Sequence, residues 1–526
     1  MRESFTLTIW ATSDVHGHML PTRYADNAPE ELGLLKLASR IRQVRADKEH
    51  FLLIDNGDLL QGTPLATYHA RFDPQSPNPM IAALNRLKYD AFIPGNHEFN
   101  FGLDFVKKAQ RESSFPWLAA NIVREDTGKP YFGDPYFITE FAGGLRAAVL
   151  GLTTRFTPHW ELPEHIAGLH FLPAVEAAKQ WVPELRSCKG ADIVIIAYHG
   201  GLERDLRTGA ALEEDTGENE GSRICAEVEG IDVLITGHQH RTIASGNIGD
   251  TIVVQPGSQG RYAAEIELLL TRQDGRWLVS EKRSQLIAAA GAEADRELSE
   301  WITPYEVNVQ RWLDRPICRI NGDMRIRDPH EARLAEHPLI EFINRVQMDV
   351  SGTDISCTAL FDDSAAGFGN QVSMREITTF CPYSNTLKVL RLKGRDIRDA
   401  LEWSARYFAP YDGQSVAVHS SFLYPKAQHY NYDMWEGIEY VMNVSRPVGT
   451  RIVQLARNGQ PLDPDKEYDV AMNHYRASGA GGFQMFSGKP VVRDIPIDTA
   501  ELIADYMMKQ GTITATVNHN WKVIWD

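Results

Sequence analysis

Seven residues of this 526-residue chain combine types and spacings that suit metal chemistry: Asp14, His16, Asp58, Asn96, His199, His238 and His240. Two form an Asp-x-His pair and two a Gly-His-x-His, while the others sit beside glycine in Gly-Asp, Gly-Asn-His-Glu and His-Gly-Gly. Residues two apart in an extended segment point the same way, so each such pair is expected to grip one ion. A neighbouring glycine lets the backbone turn sharply and approach an ion closely. The donors are all oxygen and imidazole, a set for Mn, Zn, Fe or a similar divalent ion. Seven are too many for one tetrahedral ion and enough for two, if a carboxylate bridges. Two ions about 3.5–4 Å apart clamp an in-line phosphoryl displacement, and a water between them becomes the attacking hydroxide near neutral pH. No serine or cysteine nucleophile is needed.

The elements that must position these groups share one pattern. Apolar runs end on each cluster in "TLTIWATSDVH", "HFLLIDNGD", "YDAFIPGNHE", "ADIVIIAYHG" and "IDVLITGHQH". Continuous runs of this kind suit strands covered on both faces, as in α/β proteins. Helical patterns such as "LGLLKLASRIRQVRAD" and "PMIAALNRL" lie between several of them. Ligands of such sheets gather beyond the carboxyl ends of the strands, where all five clusters fall. Residues 263–287 read as two strands around an Asp-Gly turn. The stretch "LSEWITPYEVNVQRWL" has helical spacing with Pro304 inside it, and the acidic segment 212–222 reads as an exposed loop.

Length favours at least two domains. The composition, 43% hydrophobic and 24% charged with a formal net charge of -16, is that of a globular protein with no cationic excess for a long nucleic acid. Five scattered cysteines without a Cys-x-x-Cys pair exclude a thiolate zinc site or a disulfide framework. No apolar stretch approaches the length of a membrane span, so no membrane partner is expected. The N-terminal "MRESFTLTIWATSD" lacks a signal-peptide pattern. The expected location is therefore cytoplasmic, with export the alternative if a leader preceded this sequence.

The order of the motifs resembles the calcineurin-like metallophosphoesterases. "GNHEFNFGLDF" with "DNGDLLQGTPLATY" is similar to the branch holding 5′-nucleotidases, UDP-sugar hydrolases and 2′,3′-cyclic-nucleotide 2′-phosphodiesterase/3′-nucleotidases. In the second half, "CPYSNTLKVLRLKGRDIRDALEWSA" and "NHYRASGAGGFQMF" resemble that branch's substrate-binding domain. The resemblance implies an α/β fold: a four-layer α/β/β/α metallophosphoesterase domain over 1–290, a linker helix over 291–314, and a C-terminal α/β 5′-nucleotidase-type domain over 315–526. It implies that two divalent metal ions are held, one by Asp14, His16, Asp58 and His240, the other by Asp58, Asn96, His199 and His238, with Asp58 bridging. His97 then contacts the phosphate, Asn100 supports it, and Gln61 lies near the metals. The base of a small nucleotide is clamped between Tyr430 or Tyr432, which the sequence does not separate, and Phe483.

Three departures bear on the substrate. Many 5′-nucleotidases carry Asp at the position of Asn100, whereas the phosphodiesterase/3′-nucleotidase group also reads "NHEFN". Gly481 replaces a common aspartate. The segment "TALFDDSAAGFGNQVSMREI" lacks the Asn-Gly-Gly-Ile-Arg run of 5′-nucleotidases, and Arg333 and Arg375 are the candidate substitutes, each expected to be an exposed structural arginine instead. The favoured expectation is therefore a 2′,3′-cyclic-nucleotide 2′-phosphodiesterase/3′-nucleotidase. The alternatives are a 5′-nucleotidase or UDP-sugar hydrolase, a sulfur-ester hydrolase on the same scaffold, and a silent nucleotide-binding module.

Overall fold

The computed structural model describes residues 4–212, 216–383, 385–424 and 426–526. The chain forms two compact units, Met1–Val309 and Gln310–Asp526. The helix foreseen near Pro304 runs from Arg296 to Leu313, so the division falls inside its last turn.

The first unit holds two sheets. In one, Ser4–Thr12 lies parallel to Phe51–Asp55, which lies parallel to Ala91–Phe92, and the hairpin Tyr262–Gln273 and Arg276–Ala288 completes the other edge. Asp274 and Gly275 turn that hairpin with φ of 50° and 81°, the left-handed pair that matches strand twist. In the second sheet Arg146–Thr153, Ile193–His199, Val233–Thr236 and Thr251–Pro256 run parallel, with antiparallel strands Tyr136–Glu140 and Thr242–Ile248 at the edges.

Alternation of side chains gives each sheet two apolar faces. Leu7, Ile9, Leu52 and Ile54 of the first sheet join Val149, Ile193, Ile195 and Val233 of the second in one core. The far face of the second sheet packs Leu150, Val194 and Ile196 against Ala174, Ala178 and Val182 of the helix Ala174–Ser187. Helices Leu34–Asp47 and Pro79–Leu87 cross between the parallel strands of the first sheet and bury Leu34, Leu37, Ile41, Ile81 and Leu84. Asn78 caps the second of these, accepting from Met80 N and Ile81 N. This is the α/β/β/α order expected. Each side chain in such a core contributes about 1.5–3 kcal/mol, so the strand ends are held by a rigid base.

The second unit is built on a five-stranded sheet in the order Asp433–Glu436, Ser356–Ala359, Glu467–Asn473, Thr386–Lys393, Val491–Asp498. Helices Pro338–Ser351, Gly394–Ala405 and Thr499–Gln510 supply core residues including Ile340, Ile343, Leu401 and Ile503. Three glutamates cluster at its C-terminal segment. Glu341 accepts from Thr516 Oγ1 at 2.8 Å and pairs with Arg345, Glu436 accepts from Asn518 Nδ2 at 2.6 Å, and Glu336 accepts from the His519 amide.

Candidate metal centre

Of the candidate ligands only His199 closes a strand, Ile193–His199; the other strands stop short of theirs. Ser4–Thr12 ends two residues before Asp14, and Val233–Thr236 two before His238. Asp14, His16, Asp58, His238 and His240 all have left-handed backbone, with φ of 54°, 51°, 54°, 65° and 55°. This corrects the expectation of paired ligands sharing one face of an extended segment: they converge because tight turns swing them round. Each such residue costs of order 1–3 kcal/mol of backbone strain, which the sheets beneath must hold. The x-separated histidines also divide their work. Asp14, His16 and His240 form one group able to hold an ion, and Asp58, His199 and His238 another.

Asp58 joins the two. Its Oδ2 lies 3.2 Å from His199 Nε2 and 3.8 Å from His16 Nε2, while its Oδ1 accepts from the His97 amide at 2.8 Å. His16 turns Nδ1 to the Gln61 carbonyl at 3.1 Å, so that nitrogen carries the proton and Nε2 faces inward, 3.0 Å from His240 Nε2. His199 donates from Nδ1 to Asn56 O at 2.6 Å, and its buried Nε2 makes no aligned hydrogen bond. His240 Nε2 lies 3.4 Å from Asp14 Oδ1. Asn96 Oδ1 lies 2.9 Å from His238 Nδ1, which adds the amide oxygen to the second group. All seven residues foreseen as ligands thus meet in two adjoining clusters.

Converging imidazole nitrogens around buried carboxylates fit divalent cations. The field has the matching sign. Burial would raise the Asp58 carboxyl, yet the neighbouring His199 and His97 imidazoles hold it well below the usual range. Burial would lower His199, yet Asp58 carries it up to about 10. Burial keeps Asp14 raised. A field that holds a proton so firmly would also favour a dication, whose binding would displace that proton.

Close packing depends on two glycines. A Cβ on Gly95 would lie 2.3 Å from Asp58 Oδ1, and one on Gly237 would lie 2.3 Å from Ser13 Oγ and 2.8 Å from Asp14 Oδ2.

Two carboxylates escaped the sequence reading. Glu98, fully buried, accepts from the amides of Gly95, Asp58, Leu59 and Leu60 at 2.5, 2.8, 2.7 and 3.1 Å and so shapes the Asp58 loop. Its place in Gly-Asn-His-Glu was the available signal. Glu218 lies 2.9 Å from His238 Nε2, leaving Nδ1 to the metal side. Glu218 belongs to the segment expected to be an exposed acidic loop. Residues 213–215 of it lie outside the described residues, but Asn219 and Glu220 are buried, accepting from Gly201 N and Ala174 N, which corrects that expectation.

His97 opens a single helical turn, His97–Phe99, which brings Asn100 onto its face. His97 Nδ1 lies 2.8 Å from Asn100 Oδ1, and its ring centre is 5.3 Å from that of His16. The two residues expected to handle the phosphate therefore stand beside the ligands.

The second unit separates its candidates. Tyr432 has no exposed surface, packs on Tyr407 and donates to Arg333 O at 3.0 Å, so its ring belongs to the core. Phe483 is also fully buried, with the Arg476 guanidinium 3.7 Å from its ring centre and Phe486 stacked at 5.6 Å; as folded it presents no face to a base. Tyr430 is half-buried and meets Tyr383 and Tyr475 edge to face at 5.9 and 6.2 Å. Tyr475 was not singled out from the sequence. Gly481 must be small, since a Cβ there would fall 2.1 Å from Asn431 Oδ1. Arg333 and Arg375 are structural but buried rather than exposed: the first binds Asp363 and Leu360 O, the second Asp314 and Gln310.

Known proteins match the same architecture. The family model for calcineurin-like phosphoesterases matches residues 7–242, and that for the 5′-nucleotidase C-terminal domain matches residues 316–488. A trifunctional nucleotide phosphoesterase of Bacillus subtilis is 27% identical over 98% of this chain, which spans only 39% of that protein. A 2′,3′-cyclic-nucleotide 2′-phosphodiesterase/3′-nucleotidase of Haemophilus influenzae is 28% identical over 98% of this chain and 87% of its own length. Among solved structures, a Staphylococcus aureus protein provisionally assigned as a 5′-nucleotidase is 35% identical, with a TM-score of 0.91 over 99% of this chain and 100% of that one. Fold and site together define a two-domain metallophosphoesterase. The chain belongs to the 5′-nucleotidase family of calcineurin-like phosphoesterases. No helix among its described residues is long and apolar enough to cross a membrane.

Proposed function

We propose that the protein is a dinuclear-metal phosphoesterase acting on small nucleotides, of the 2′,3′-cyclic-nucleotide 2′-phosphodiesterase/3′-nucleotidase type. The observation that carries the chemistry is Asp58 Oδ2, placed between His199 and His16 and so between the two ligand groups. Asp14, His16, His240 and Asp58 would hold one ion, and Asp58, Asn96, His199 and His238 the other. When bound, two such ions, Mn, Zn or Fe, supply Lewis acidity toward the phosphate and lower the pKa of an attacking water.

The chain's own groups do the rest. His97 is held at its amide by Asp58 and at Nδ1 by Asn100, so Nε2 is the nitrogen left to face a phosphoryl oxygen. With the ring protonated, Nε2 donates to that oxygen as charge develops there. Water adds to phosphorus, the P–O2′ bond breaks and the departing 2′-oxygen takes a proton. A second hydrolysis of the 3′-phosphate releases the nucleoside. In the second unit Tyr430, with Tyr475 beside it, is the ring suited to receive the base.

The choice of substrate is supported by Asn100 and by Arg333 and Arg375, which are tied to protein partners instead of serving an anionic phosphate. The test is a panel of 2′,3′-cyclic AMP, 3′-AMP, 5′-AMP and UDP-glucose with the metal-loaded protein. Preference for the cyclic diester and 3′-AMP is expected, and a clear preference for 5′-AMP would overturn the assignment. Chelation should abolish turnover and Mn or Zn restore it, whereas Asp58→Ala should not be restorable.

A further inference from the structure

Behind Asn100 stands a carboxylate. Glu161 lies in the turn between Thr157–His159 and Pro163–Ile166, 8% exposed, where its amide donates to Thr157 O at 3.1 Å. Its Oε1 accepts from Asn100 Nδ2, and its Oε2 faces His165 Nδ1 at 3.2 Å. An ionised carboxylate only accepts hydrogen bonds. The amino end of the Asn100 amide must therefore face Glu161, and its oxygen must face His97. A carbonyl oxygen also only accepts, so His97 must carry its proton on Nδ1 and present Nε2 on the side away from Asn100. These partners settle the amide orientation, whichever way the two ends are first assigned.

We propose that Glu161 is a positioning residue that fixes, through Asn100, the tautomer and ring orientation of His97. Glu161 reaches this histidine only through the intervening Asn100 amide. The asparagine transmits the carboxylate's charge as an orientation. This inference rests on His97 acting in phosphoester hydrolysis.

Four variants test it in the metal-loaded enzyme, with bound metal measured in each. Glu161→Ala frees the amide to turn over, and kcat should fall about 10–100-fold with KM little changed. Glu161→Gln keeps an oxygen able to accept from Asn100 Nδ2 but adds a donor that can hold the amide the other way round, so kcat should fall less than in Glu161→Ala. Asn100→Asp sets two carboxylates against each other and should lose activity. Asn100→Asp combined with Glu161→Gln should regain it, because the introduced amide can then donate to the introduced carboxylate. Nitrogen-15 spectra of histidine-labelled protein should show His97 protonated on Nδ1 in the wild type, with the other tautomer appearing most in Glu161→Ala and less in Glu161→Gln. Equal damage by glutamine and alanine at position 161, or an Asn100→Asp effect indifferent to the residue at that position, would overturn the proposal. If the wild type itself hydrolyses no nucleotide ester, the functional reading fails instead, and the spectra still report on the link between Glu161 and His97.

Discussion

Glu218 Oε1 lies 2.9 Å from His238 Nε2. A carboxylate there fixes the ring so that Nδ1, beside Asn96, is the nitrogen offered to an ion. Glu218→Gln should weaken one of two metal equivalents about 10–100-fold and leave the other. Titration of chelated protein with Zn, followed by calorimetry, reads the two affinities separately. Equal weakening of both would contradict the division of ligands.

Gly95 is a steric requirement. An added Cβ would lie 2.3 Å from Asp58 Oδ1 and 2.7 Å from His199 Nε2. Gly95→Ala should therefore cost metal content and turnover together, because the Asp58 carboxylate must shift. Metal analysis of the purified variant, with circular dichroism to show the fold retained, checks this.

Stability should depend on pH through the second unit. Burial, with Glu341 and Glu436 nearby, raises Glu336 from 4.5 to about 7. Arg345 faces Glu341, and the His519 amide donates to Glu336. The folded state then binds more protons than the unfolded state between these values, so stability falls as pH rises from about 4.5 to about 7. Discounted for solvent near the cluster, the loss is on the order of 1–2 kcal/mol. Denaturant melts at about pH 5 and about pH 7.5 should show it, and Glu336→Gln should flatten the difference.

The two tyrosines should part. Tyr432→Ala removes a fully buried ring and should destabilise the second unit by about 3–5 kcal/mol. Tyr430→Ala should leave melting nearly unchanged and raise KM about tenfold for a nucleotide, as loss of a base stack does. The reverse pattern would return Tyr432 to the binding role.

The seven candidate ligands were legible because each lies at or just past the end of an apolar run, on a residue type rarely placed there without use. Their grouping was implied by the family resemblance and not by residue periodicity. Alternation along a strand predicts that His238 and His240 point together, but the strand has ended by then, and left-handed turns send them to different clusters. Glu161 and Glu218 were invisible as partners, since a carboxylate is common and its hydrogen-bond partner is fixed only by tertiary structure, whereas Glu98 was marked by its place in Gly-Asn-His-Glu. The burial of Phe483 was not legible for a related reason: a ring before a polar residue in a glycine-rich loop has no periodicity to betray it.

The left-handed backbone of Asp14, His16, Asp58, His238 and His240 has a consequence for descent. Aspartate, asparagine and histidine tolerate this conformation better than most side chains, and β-branched residues scarcely at all. The catalytic vocabulary and the turn vocabulary therefore coincide at these five positions. A relative released from selection for chemistry would still be confined by its turns, and should drift toward glycine or asparagine there instead of valine or isoleucine. Glycines at these five sites would mark a silent descendant whose fold had outlived its metals.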